Sequence, residues 1–215
     1  MNKIKNPIQT ILPFVEDRNV FIIGGGPSVN EILPDKSVLD NELVIATNNA
    51  YKLYPNALIC HFADRVWYDW HKDTIHDVFK GHITTATTHK QQDFYRTGKF
   101  YTFTKVMCKN KIGLSFDQDK VAGNNAGHHA INIAVHLKAK NIILIGFDLN
   151  AKSPNGLHWH NEHKRPTNTS QYSHSMIPDM KRIPLDIQDR SCKIWNLNPQ
   201  SALRCFPFAK LEDFV

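Results

Sequence analysis

Three stretches of the chain are apolar on consecutive positions rather than alternating ones: Asn19-Val20-Phe21-Ile22-Ile23, Glu42-Leu43-Val44-Ile45-Ala46-Thr47 and Asn141-Ile142-Ile143-Leu144-Ile145-Gly146. Such runs predict strands buried on both faces. Ala57–Phe62 and Lys193–Leu197 repeat the pattern more weakly. Each main run stops abruptly, in Gly24-Gly25-Gly26-Pro27-Ser28, in Asn48-Asn49 or in Phe147-Asp148. Ala130, Ile133, Ala134 and Leu137 fall at helical spacing and predict a helix from Ala126 to Lys138, preceded by Gly123-Asn124-Asn125, where an Asn is a good N-cap. Asp64, Trp67, Trp70 and Phe79 predict a second helix over 64–80. Strand, small or polar turn, then helix, repeated, implies a mostly parallel sheet with helices on both faces. With no internal repeat or linker in view, residues 1–215 read as one α/β, Rossmann-like domain.

One region breaks the pattern. Ala151 to Met180 is rich in Asn, Ser, His and Pro, with little apolar periodicity. A loop this long is usually functional or disordered. It follows the strand that ends at Asp148, so at about 150–180 it is placed as a lid over the carboxyl ends of the strands, where open α/β sheets bind ligands.

Composition narrows the classes. The chain is 41% hydrophobic and 21% charged, as expected of a soluble globular protein. Its formal charge of +6 favours anionic partners such as nucleotides, phosphosugars or nucleic acid, but it is spread out and forms no basic tail. Cys60, Cys108, Cys192 and Cys205 lie far apart without a CxxC pair, which predicts free thiols rather than a disulfide framework or a zinc knuckle. No stretch approaches the roughly 20 apolar residues of a membrane span. The expectation is a cytoplasmic protein.

Four constellations carry candidate chemistry. Glycines at a strand tip let backbone amides approach a ligand that a Cβ would block, and Ser28, if it caps a following helix, adds amides suited to phosphate. There is no GK[ST], which argues against a P-loop kinase. Asn48, Asn49, Asn124 and Asn125 each offer a donor with an acceptor, suited to a base edge or a ribose, or serve as plain turn formers. Asp148 has three roles open to it: accepting from a ribose, holding a metal, or capping a turn. The run His158-Trp159-His160-Asn161-Glu162-His163 is suited to ligating a divalent metal, neutralising a diphosphate or supplying a general acid or base, or is a polar surface loop. His158 and His160 share a face if that segment is extended. His174, flanked by Ser173 and Ser175, is a candidate general base, and of His128 and His129 one is free to face a ligand while the other packs.

The order strand–GGGPS, strand–Asn, NAG at a helix start, AKNIILIGFDL and NPQSAL resembles the bacterial lipooligosaccharide sialyltransferases and the 6-hydroxymethylpterin diphosphokinase-like proteins, and many uncharacterised bacteriophage proteins look similar. The likeness spans about residues 19–205. It implies a nucleotide site at Gly24, Gly25, Gly26, Pro27, Ser28, Asn48, Asn125, Ala126, Gly127, Gly146, Asp148 and Ser201. It also implies a catalytic His followed by Ser, matched by His174-Ser175 with Asp179 and Lys181 further along. The chain departs from the sialyltransferase pattern at Gly25 (Asn there), Asn150 (a phosphate-contacting Tyr) and Ala126 (Ser), and the HWHNEH run lies outside it.

The expected function is nucleotide-dependent group transfer. Its leading form is transfer from a CMP-sugar type donor, with His174, His158 or His160 as base. The alternatives are an ATP- and Mg-dependent diphosphokinase and a non-catalytic nucleotide-binding or interaction protein. A divalent metal such as Mg belongs to the second form, with His158, His160 and His163 as the alternative metal ligands. Partners implied are the nucleotide donor, a small-molecule, glycan or modified nucleic-acid acceptor, and a second copy of the chain as a homo-oligomer.

Overall fold

The computed structural model describes residues 4–89, 92–108 and 113–215. Eight strands form one sheet: β1 (Asn19–Ile23), β2 (Val44–Thr47), β3 (Ile59–Phe62), β4 (His82–Thr87), β5 (Tyr101–Val106), β6 (Lys120–Ala122), β7 (Asn141–Ile145) and β8 (Lys193–Asn196). Their order is β6-β5-β4-β3-β2-β1-β7-β8. Every pairing is parallel, so the sheet is wholly rather than mostly parallel.

Consecutive apolar residues in a strand point to opposite faces, and here both faces are covered. Val20, Ile22, Ile45, Ile142 and Leu144 pack with residues of α1 (Pro7–Val15) and α5 (Ala126–His136). Phe21, Ile23, Ala46, Phe62 and Ile143 pack with residues of α2 (Val29–Ile32) and α3 (Arg65–Val78). The two predicted helices correspond to α3 and α5. Asn125 caps α5, its Oδ1 accepting from the His128 amide at 3.0 Å.

The hydrophobic pattern left β4, β5, β6 and α1 unannounced. β4 and β5 are threonine-rich, so their β-branched character is present without an apolar run. The expected lid loop is also shorter than its sequence suggested. It becomes helical as a π-turn at Tyr172–Met176, continuous with α6 (Ile177–Met180), and α7 (Ile183–Ile187) follows. Tyr172, Met176, Met180, Ile183 and Ile187 do carry helical spacing. Pro178 and Pro184 obscure it; Pro184 stands in the first turn of α7, where proline costs no hydrogen bond, whereas Pro178 lies within the continuous run that includes the π-turn.

The chain runs outward from β1 to β6, then returns through α5 to β7 on the other side of β1. The topological switch therefore lies between β1 and β7, and the crevice at their carboxyl ends is where such sheets take ligands.

Candidate functional site

The β1–β7 register, with Ile23 opposite Ile145, sets the glycine turn beside Gly146. The Gly24 amide donates to the Ile145 carbonyl at 2.7 Å, and the Gly26 amide to the Gly146 carbonyl at 2.9 Å. A Cβ on Gly24 would stand 2.5 Å from the Gly146 oxygen, and one on Gly26 would overlap the Asp148 carboxylate. The glycines thus admit the protein's own β7 end. This corrects the expectation that their amides are bared for a ligand: those of Gly24 and Gly26 are already donated to β7.

Ser28 is corrected too. Its hydroxyl makes no helix cap and instead donates to Asp148 Oδ2 at 2.7 Å, while its amide reaches Asp148 Oδ1 at 3.2 Å. Asn198 Nδ2 adds a third bond to Asp148 at 3.0 Å. Burial raises the Asp148 carboxyl above its ordinary value, and the two Ser28 bonds offset part of that rise. Ser201 stands behind this group, fully buried, its hydroxyl donating to the Phe147 carbonyl at 2.6 Å. It supports the crevice without lining it.

The Phe147 ring lies against both Gly24 and Gly127, which brings the start of α5 to the same place. There Asn125 Nδ2 is buried without a hydrogen-bond partner, one of two such side-chain atoms among the described residues. The first-turn amides of Ala126 and Gly127 have no intrahelical acceptor, and the helix dipole makes this end attractive to anions. Asn48, at the end of β2, is half-buried in the left-handed region, φ +49°.

The lid loop crosses over this crevice. The Trp159 amide and indole donate to the Gly25 and Gly24 carbonyls, both at 3.2 Å, and Asn30 Nδ2 donates to the Trp159 carbonyl at 3.2 Å. His158 stands above Gly25, 3.5 Å from where a Cβ would lie, and its Nε2 is 2.7 Å from Thr167 Oγ1. Its ring stacks on those of His163 (4.7 Å) and His160 (5.5 Å). The shared face expected of His158 and His160 is therefore present. Among the described residues no three His, Cys, Asp or Glu side chains converge as a metal site. Burial and the neighbouring rings hold His158 below its ordinary pKa and His160 at about 4, so both imidazoles are neutral near pH 7.

Further along, Glu162 latches the lid to the sheet. It pairs with Lys52 at 2.5 Å and accepts from Asn49 Nδ2 at 3.1 Å, while Asn49 Oδ1 accepts from Trp67 Nε1 at 2.7 Å. Asn49, not Asn48, is the nearly buried strand-end amide. His174 is exposed on the π-turn, its Nδ1 donating to the Ser170 carbonyl at 2.7 Å, which leaves Nε2 with the lone pair. Tyr172, on the same turn, is half-buried, and burial together with the Asp148 charge raises its phenol pKa. Asp179 sits 3.5 Å from Arg182.

The paired histidines of α5 are also corrected. Neither faces a ligand, since both are fully buried. His129 Nε2 donates to the Gly123 carbonyl at 3.2 Å and Nδ1 accepts from His61 Nε2 at 3.0 Å; His61 Nδ1 in turn accepts from the Thr84 hydroxyl at 2.9 Å. His128 Nε2 donates to the Gly113 carbonyl at 2.6 Å. The four cysteines are free, with Cys60 and Cys192 buried, and burial pushes all four thiols up. No helix among the described residues is long and apolar enough to cross a membrane.

Sequence reasoning named Asn49 as a strand-end amide and Glu162 within the histidine run, but gave Trp159, Tyr172 and Asn198 no role of their own, although each lies inside a motif it singled out; only the fold shows which of these residues meet.

These elements define an α/β protein with a crevice at a sheet switch point. Residues 1–153 match the 6-hydroxymethylpterin diphosphokinase MptE-like family, and the chain belongs to that family. Among solved structures it is similar to a tyrosine-to-phenylalanine variant of the sialyltransferase CST-II in complex with CMP. That likeness has a TM-score of 0.54 and 17% identity, and covers 88% of this chain and 85% of the other. It shows a shared fold. No curated protein matches the sequence.

Proposed function

We propose that this protein is a nucleotide-dependent group transferase, with the donor's phosphate at the start of α5 and its nucleoside in the β1–β7 crevice beside Asp148. The observation that carries this reading is the unpartnered Asn125 amide at a helix N-terminus, a donor in want of an acceptor where anions are favoured. The likeness to a CMP-bound sialyltransferase and membership of a diphosphokinase-like family both support a nucleotide substrate.

In the leading form the donor is a CMP-sugar. His174 Nε2 takes the proton of an acceptor hydroxyl, the acceptor oxygen bonds to the anomeric carbon, and that carbon's bond to the phosphate oxygen breaks to release CMP. The tyrosine that sialyltransferases place soon after the GxD turn is Asn150 here. Tyr172, whose phenol feels the Asp148 charge, is the candidate to donate to the leaving phosphate in its stead. Closure by Trp159 and the histidine stack would exclude water and limit donor hydrolysis.

Family membership favours a second form, diphosphoryl transfer from ATP. Mg²⁺ would neutralise triphosphate charge; it typically uses one or two carboxylates, substrate phosphates and waters, and Asp148 is the carboxylate in the crevice. Both Asp148 oxygens are already hydrogen-bonded, so most of the coordination would come from the nucleotide and water.

Thermal unfolding with CMP, and separately with ATP and Mg²⁺, decides between them. A hundredfold excess over Kd of the true ligand should stabilise by about 2.7 kcal/mol. A shift with CMP alone supports the leading form, a shift with ATP and Mg²⁺ alone the second, and none with either removes both. Asn125→Asp keeps a strong N-cap but presents a carboxylate to the phosphate, so the variant should fold normally and lose the nucleotide shift. His174→Gln should keep that shift while transfer falls about a hundredfold or more.

A further inference from the structure

A second cavity, of about 490 Å³, opens between α2 and the C-terminal segment, within the size range of small-molecule sites. Its apolar lining comes from Ile32, Leu197, Leu211 and Phe208, and its rim from Glu31, Glu212 and Lys210. Phe208 is 37% exposed, yet firmly placed. It forms a bridge with Asn196, whose amide donates to the Pro207 carbonyl at 2.9 Å, and the Arg204 guanidinium lies 5.7 Å from its ring centre. A fixed aromatic ring beside carboxylates suits the apolar face and hydroxyl donors of a sugar ring. Among the side chains that line the cavity, Arg204 not being one of them, two carboxylates against one ammonium favour a neutral or cationic ligand over an anionic one.

The cavity adjoins the crevice. Leu197 and Pro199 flank Asn198, which bonds Asp148, and the Glu31 charge is near enough to raise the Asp148 carboxyl. Asn155 of the lid donates to Glu31 Oε1 at 2.5 Å, so this rim is also joined to the loop that covers the donor site.

We propose that this cavity binds the acceptor, a small hydroxylated ring with neutral or amine substituents, a role that rests on the transferase reading although the binding itself does not. Anion recognition and hydroxyl or amine recognition are thereby divided between two neighbouring sites.

The test is saturation-transfer and chemical-shift titration of the full chain with glucosamine, glucose and gluconate, with the nucleotide thermal shift measured on the same samples. Glucosamine should bind tighter than glucose, with gluconate weakest. The Glu31→Gln, Glu212→Gln double variant should weaken glucosamine at least tenfold, and Glu212→Gln alone, which leaves the Glu31 contact with the lid in place, should weaken it while leaving the nucleotide shift unchanged. Phe208→Ala should weaken glucosamine and glucose alike. Failure of all three compounds to bind, equal binding of gluconate, or unchanged glucosamine affinity in the double variant overturns the proposal. Glucosamine binding without any nucleotide shift upholds the cavity and removes the transferase reading.

Discussion

Acidification from pH 7.5 to 5.5 should lower the unfolding free energy by about 3 kcal/mol through His61 and His128 alone. Burial depresses the two imidazoles to about 3 and about 4, and depresses His129 as well. Unfolded, each titrates near 6.5. Above that value both states are neutral and the stability is intact. Below it the unfolded chain takes up protons that the folded chain refuses, and each such histidine costs about 1.4 kcal/mol per pH unit until its folded pKa is reached. Against the 5–15 kcal/mol typical of a domain, this is a large fraction. Urea denaturation at half-unit pH steps would measure it. A midpoint that stays flat over this interval would mean that His61 and His128 do not sit buried and neutral.

Gly26→Ala should destabilise the fold by about 3 kcal/mol, with Gly25→Ala within about 0.5 kcal/mol of the parent. The added methyl at Gly26 overlaps the Asp148 carboxylate and comes within 2.8 Å of the Gly146 oxygen. To make room, Asp148 must give up bonds from Ser28 and Asn198, leaving buried polar groups unpaired. At Gly25 the nearest atom is His158 Nδ1 at an ordinary 3.5 Å, on a flexible side chain. Chemical denaturation of both variants supplies the comparison. Equal tolerance at the two positions would show that the Asp148 carboxylate does not fill the turn.

The same turn shows how far sequence reading reaches. A strand tip followed by three glycines announces that something approaches the backbone closely, and that much is legible. What approaches is a carboxylate from residue 148, which no local pattern reports. The rings of His158 and His160 stack although the chain bends at Trp159, His160 and Asn161, so the extended segment on which their shared face was expected is not the reason. The burial of His128 and His129 depends on β3, β4 and the Gly113 segment arriving from elsewhere in the chain. The helical end of the lid becomes readable from Tyr172, Met176, Met180, Ile183 and Ile187 once Pro184 is recognised as a helix start and Pro178 as lying within a helix that widens into a π-turn.

Sequence by itself determined the buried parallel strands, the capped helix α5 and the family, since apolar runs, helical spacing and short motifs are encoded by neighbouring residues. The tertiary structure alone decided the strand order, the crossing back from β6 to β7 and hence the crevice between β1 and β7. It also decided which polar groups are satisfied within the protein and which, like the Asn125 amide, are left without a partner. The crevice itself turns on contacts between residues more than a hundred positions apart, such as Ile23 with Ile145 and Ser28 with Asp148, where side-chain chemistry specifies what each group needs and only the fold specifies what it meets.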